Sequence, residues 1–243
     1  MDSGTVLQPL KQTMTIQQRI ESLQADIQQA ILHSHRKPNA VKLIAVSKGQ
    51  PIEALEQAIH AGQLDFAESY WQEAQSKIKH LGAHPICWHY IGPIQSNKTQ
   101  GIAQQMAWVH SLDRSKIALK LNEQRPSSLA PLNICIQVNF DHEDNKAGVA
   151  PEDAAELASV VLQLPRLHLR GLMMIPKPCH NEQEQYLSFM RAVDLLTRLN
   201  QTLRINMDTL SMGMSHDWPA AIKAGSTMLR IGTGIFGDRH HAD

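Results

Sequence analysis

Eight short apolar runs, at residues 42–48, 64–69, 86–92, 106–112, 132–139, 167–175, 209–214 and 227–232, alternate along the chain with segments of helical periodicity. This rhythm constrains the fold more than any single motif. Strands separated by helices pair in parallel through right-handed crossovers, and eight such units in 243 residues match the size of a closed (β/α)₈ barrel. The fold class is read as α/β, a single TIM barrel, with an open doubly wound sheet as the competing arrangement. Ile52, Leu55 and Ile59 share a face after Pro51, and Leu157, Val160, Val161 and Leu164 share one after Pro151. Proline suits a first helical turn, where its missing N–H costs nothing. Phe189, Val193, Leu196 and Leu203 mark the longest helix, while Ile16, Ile20, Leu23, Ile27 and Ile31 predict an extra amphipathic helix before the first strand. Residues 123–133 read as a loop, and no Pro/Gly/Ser-rich linker divides the chain. Residues 1–243 are expected to form one domain, with 1–37 as a helical extension and 238–243 as a flexible tail.

Composition excludes several classes of function. Lys plus Arg and Asp plus Glu balance at 23 each, so no basic field favours nucleic acid or an anionic membrane, and no partner of either kind is expected. No apolar stretch has the length of a signal peptide core or a bilayer span, which points to a cytoplasmic address. Cys87, Cys135 and Cys179 lack paired spacing and read as reduced thiols. The 13 histidines contain no His-Glu-x-x-His arrangement, and His240 and His241 fall in the expected tail, so no metal is assigned.

In a barrel the strand ends build the site. Lys48 ends the first run, Glu68 and Ser69 the second, and His89 to Gly92 lie around the third. Ser111, Asp113 and Asn139 follow, whereas Met173 and Met174 are read as core filling. A lysine emerging from a buried strand is either an ion-pair partner or, once deprotonated, a nucleophile. The last run reads RIGTGIFG, a match to the dinucleotide fingerprint that lacks the helix, strand and acidic residue that fingerprint requires, since only six residues follow Gly237. Its glycines still allow backbone N–H groups to approach an anion, and Thr233 adds a hydroxyl. In the seventh loop Ser215 precedes a helix ending near Gly225 and is positioned to cap it or to leave its first N–H groups to a phosphate. Arg230 shares a strand side with Gly232 and needs either a buried partner or a ligand. A lysine, a phosphate cradle and an arginine together suit a phosphorylated aldehyde held as a Schiff base, of which pyridoxal 5′-phosphate (PLP) is the obvious case. A Schiff-base aldolase with a sugar-phosphate substrate is the rival from these residues alone.

The runs AVSK (45–48), WHYIGPIQSNK (88–98), LRGLMMIP (169–176), LSMGMS (210–215) and AAIKAGSTMLRIGTGIFG (220–237) closely resemble the pyridoxal phosphate homeostasis proteins, in order, from about residue 40 to 239. The resemblance implies the barrel domain of alanine racemase standing alone, binding PLP and balancing vitamin B6 and amino-acid pools without catalytic turnover. It assigns Lys48 to the Schiff base, Ser215, Gly232 and Thr233 to the phosphate, and Arg230 to the pyridine nitrogen, with Ser211 and Met212 lining the seventh loop; no catalytic residue is assigned. His89 and Asn97 belong to the same motifs without a set role. The chain departs from the pattern at Ala67, where the family has glycine, at Ser69, where it has asparagine, at Tyr90, where phenylalanine is commoner, and at Gln50, where a second lysine stands. An arginine at the nitrogen would make PLP a weak electron sink, and the second base of a racemase comes from another domain, so binding is favoured over a racemase-like activity. The implied partners are PLP and, transiently, PLP-dependent apo-enzymes; the expected state is a monomer.

Overall fold

The computed structural model describes residues 14–143 and 146–237. Helix α1 (Ile16–His33) precedes β1 (Lys42–Val46), α2 (Ile52–His60), β2 (Asp65–Glu68), α3 (Trp71–His80), β3 (Cys87–Tyr90), α4 (Thr99–Gln105) and β4 (Trp108–Leu112). The second half continues through α5 (Ser115–Gln124), β5 (Leu132–Gln137), α6 (Ala154–Leu162), β6 (Leu167–Met173), α7 (Glu182–Leu203), β7 (Thr209–Ser211), α8 (Trp218–Ala224), β8 (Met228–Ile231) and the short α9 (Thr233–Phe236). All pairings are parallel and follow chain order, and β8 pairs with β1, so the sheet closes into a barrel and the doubly wound alternative falls. The expected extension holds α1, while its first 13 residues and the expected tail 238–243 lie outside the described residues.

Alternation along the strands divides the apolar residues between two layers. Ile44, Ala67, Trp108, Cys135, Met173 and Met228 fill the barrel. Their strand neighbours Phe66, Val109, Ile134, Leu172 and Leu229 face outward and meet Leu55, Leu121, Leu157 and Phe189 of the surrounding helices. Burying each large apolar side chain contributes roughly 1.5–3 kcal/mol, and this outer layer is the larger of the two cores. Met173 and Met174 are both 1% exposed, as expected of core residues.

Helix α1 is closed at its start by a reciprocal capping box: Thr15 Oγ1 accepts from the Gln18 N–H, and the Thr15 N–H donates to Gln18 Oε1. Beyond it, Arg36 donates to the carbonyls of Ile222 and Ser226 at 3.0 and 2.7 Å, tying the extension to the α8 end of the barrel. Pro51 stands one residue before α2 rather than inside its first turn, and Pro151 lies in a turn before α6. No helix among the described residues is long and apolar enough to cross a membrane.

Every expected apolar run contains its strand, but seven of the eight strands stop one to three residues short of the run's end. The chain leaves the ladder there to form the mouth.

Candidate functional site

Lys48 stands two residues beyond the last residue of β1. The Ser47 N–H still bonds the Ala67 carbonyl at 3.0 Å, continuing the ladder with β2, and Gly49 then adopts φ +71°, a left-handed turn that glycine takes without strain. The lysine thus projects from the rim. It borders a cavity of about 270 Å³ that is also lined by Ser215, Arg230, Gly232 and Thr233 and by the apolar Ile91 and Ile175. An adjoining cavity of about 360 Å³ shares Lys48, Ser69 and Ile91 and extends to Asn139 and Lys146.

Around Ser215 two donors converge on one hydroxyl oxygen. The Thr233 hydroxyl lies 3.0 Å from Ser215 Oγ, and the Gly234 N–H points at the same oxygen from 3.3 Å. A Cβ at Gly234 would come within 2.9 Å of Ile231 Cγ2 and 3.7 Å of Ser215 Oγ, narrowing this cradle. Among the described residues no carboxylate borders the smaller cavity, whereas Lys48 and Arg230 do. The environment is therefore one an anion would enter.

Ser215 does not cap the following helix. Asp217 is the N-cap residue of α8, and its carboxylate accepts from the Met214 N–H at 2.6 Å, closing the loop on itself. That frees Ser215 Oγ to meet the β8 loop. The expected helix end is as predicted, with Gly225 at φ +118° after Ala224.

Arg230 is 4% exposed on β8. Its guanidinium donates to the Ser211 carbonyl at 2.6 Å, to Ser211 Oγ at 2.8 Å and to the Met174 carbonyl at 3.0 Å. Burial pushes its pKa down to about 10, against the pull of Asp217, so it remains a cation at neutral pH. Ser211 and Met212 do not border the cavity: Ser211 is fully buried beneath Arg230, and Met212 is packed in the outer core. His89 is also fully buried, and Asn97 borders neither cavity.

Below Arg230 runs a hydrogen-bonded line that sequence reasoning did not find. Ser211 Oγ accepts from Arg230 and lies 2.7 Å from His110 Nδ1; with Asp65 an acceptor at the far end and both rings neutral, the serine hydroxyl is the donor in that contact. His110 then donates from Nε2 to His89 Nδ1 at 2.9 Å, and His89 from Nε2 to Asp65 Oδ1 at 3.0 Å. Lys42 bonds the same carboxylate oxygen at 2.9 Å. Burial lowers the pKa of both imidazoles, which agrees with two neutral rings, and the Asp65 carboxyl is held below its usual range by His89 and Lys42 in spite of burial. The signal was available in principle: His89 and His110 are polar residues inside apolar strands. Cys87 joins Asp65 and His89 in a group whose ligand atoms lie within 4.8 Å of one another, in which His89 Nε2 is hydrogen-bonded to Asp65 Oδ1. Burial pushes the Cys87 thiol up to about 12, as it does that of Cys135.

The family profile described as "Alanine racemase, N-terminal domain" matches residues 19–240. The pyridoxal phosphate homeostasis protein of Haemophilus influenzae is 48% identical over 232 residues, covering 94% of this chain and 98% of the relative. That of Pseudomonas aeruginosa is 50% identical over 227 residues, covering 93% and 97%. Among solved structures, PipY of Synechococcus elongatus PCC7942 with PLP bound superimposes with a TM-score of 0.81 at 33% identity, covering 92% of this chain and all of that one. Alanine racemase of Corynebacterium glutamicum, at 14% identity and a TM-score of 0.65 over 91% of this chain and 62% of that one, shares the fold. On this identity and coverage, the chain belongs to the pyridoxal phosphate homeostasis protein family, built on a barrel of the alanine racemase N-terminal-domain type.

Proposed function

We propose that this protein binds PLP at the barrel mouth, attached covalently through Lys48, and serves intracellular PLP and amino-acid homeostasis by holding and releasing it rather than by turning over a substrate. The observation that carries the reading is the smaller cavity itself, where a rim lysine, a buried arginine and the Ser215 and Thr233 hydroxyls meet with no carboxylate among the described residues that line it. When bound, PLP supplies an aldehyde that condenses reversibly with an amine and a ring that withdraws electrons. The names of the relatives and the PLP in PipY support the ligand.

Each residue has a role in this reading. Ser215, Thr233 and the backbone around Gly232 and Gly234 hold the phosphate, and Lys48 provides the amine. Arg230, pinned by three hydrogen bonds and charged at neutral pH, offers only donors to the ring nitrogen and so keeps it unprotonated. That choice weakens the electron withdrawal on which racemisation depends. Ser211 supports the site from below through Arg230, and Met212 packs in the outer core behind the seventh loop. The protein is read as one domain with α1 as an extension, monomeric and cytoplasmic, delivering PLP to apo-enzymes.

The test is an absorbance titration with PLP followed by borohydride reduction and peptide mapping. A visible band whose label maps to the Lys48 peptide supports the reading. Lys48→Ala should lose the trapped label and keep weak phosphate-anchored binding; an unchanged label in that variant sinks the assignment. Rapid loss of α-deuterium from amino acids would instead favour a racemase-like enzyme.

A further inference from the structure

We propose that Lys77, acting with Glu73, is the positioning residue that orients Lys48 for covalent attachment, a reading that rests on Lys48 being the anchor. Lys77 and Glu73 lie one turn apart on α3, on the helix face that meets the start of the Lys48 loop. The Lys77 ammonium, nearly buried, donates to the Ser47 carbonyl at 2.6 Å, to Glu68 Oε1 at 2.7 Å and to Glu73 Oε1 at 2.6 Å. All three of its donors are engaged. Glu73 Oε1 also accepts the Gly49 N–H at 2.6 Å.

The carbonyl before Lys48 and the N–H after it therefore end on a single ammonium–carboxylate pair. Between these two fixed points the Lys48 Cα has little freedom, and the left-handed Gly49 turns the chain so that its N–H reaches Glu73. Glu68 completes the brace from β2 by accepting the Ser47 hydroxyl at 2.6 Å.

Stability alone is a weak account of this cluster. A buried pair is often replaced by apolar packing without loss, and here one cation meets two carboxyl groups, with Glu68 Oε2 lacking a hydrogen-bond partner among the described residues. Burial raises the Glu68 carboxyl in spite of Lys77. What the arrangement achieves is specific: the peptide groups on both sides of one residue are gripped from outside the barrel, while that residue's side chain faces the cavity. An amine that must meet an aldehyde at a set distance gains from such restraint.

The experiment compares the full-length wild type with Lys77→Met, Lys77→Arg and Glu73→Ala. Each is titrated with PLP, read by the visible band and by borohydride labelling of the Lys48 peptide, and with pyridoxine 5′-phosphate, which has the ring and phosphate but no aldehyde. Lys77→Met and Glu73→Ala should weaken PLP binding by roughly tenfold or more and leave pyridoxine 5′-phosphate within about twofold, with Lys77→Arg retaining more than Lys77→Met. If Lys77→Met does not fold, Glu73→Ala decides, because that side chain is 27% exposed. Unchanged PLP binding overturns the proposal, and so does a parallel loss of both ligands, which would mark a general structural role. A wild type that never labels at Lys48 overturns the reading beneath it, an outcome visible before any variant is made.

Discussion

At the scale of single residues, the barrel interior is organised around one charge. Arg230 is buried with no carboxylate of the described residues in hydrogen-bond contact, and carbonyl and hydroxyl oxygens satisfy it instead. Because the ionised Asp65 carboxylate can only accept, two neutral rings leave one permitted proton order, with His89 donating to Asp65, His110 to His89 and Ser211 to His110. At pH 7 both imidazoles should be neutral with the proton on Nε2. Nitrogen chemical shifts of labelled histidine, assigned with His89→Gln and His110→Gln, read this directly; an imidazolium at either position would contradict the order. Lys48, Arg230, Ser215 and Thr233, which border the cavity, stood out in the sequence as polar residues within or just beyond an apolar run. Ser211 and Met212 were legible as neighbours of the site, yet the strand's alternation and depth send them below it or outward.

Elements carry a different kind of constraint. At Gly171 in β6 a Cβ would lie 1.7 Å from the Thr209 carbonyl oxygen of β7, and this glycine sits where the β5–β6 register shifts. Gly171→Ala must therefore push two paired strands apart, at a cost of about 3 kcal/mol or more, measurable as a drop in the urea midpoint or as insoluble expression. A variant of wild-type stability would mean that the two backbones separate freely. At the periphery, Thr15→Ala removes the side-chain half of the α1 capping box and should cost about 1 kcal/mol without altering ligand affinity. Thermal unfolding beside a PLP titration checks both parts. Helices α1, α2, α6 and α7 were readable from spacing alone, whereas the start of α8 was not: the N-cap position falls to Asp217, whose carboxylate closes the loop through the Met214 N–H.

Over the whole molecule, the buried histidines link stability to pH. His89 and His110 have folded pKa values below the ordinary 6.5, so on acidification the unfolded chain binds protons that the folded one refuses. Their contribution is fully present above pH 6.5 and declines as pH falls towards the folded values, by up to about 1.4 kcal/mol per pH unit for each ring that stays neutral. Asp65, Asp141 and Asp208, depressed below 3.8, act in the same direction at lower pH. Glu68, raised above 4.5, opposes them, since its contribution is present below 4.5 and is lost as pH rises through its folded value. The urea midpoint should fall between pH 7 and pH 5; a flat profile would show that the rings ionise within the fold.

The sequence by itself determined the barrel, its extra first helix, and the lysine, arginine and glycine-rich loop at its mouth, because strand and helix periods and turn residues are local properties. Only the tertiary structure decided that Ser211 meets His110 across 101 residues, that Lys77 reaches back 30 residues to the Ser47 carbonyl, and that Ser215 turns to Thr233 instead of its own helix. Those contacts depend on the stagger of eight strands once the ring is closed, and no window of the chain contains that information.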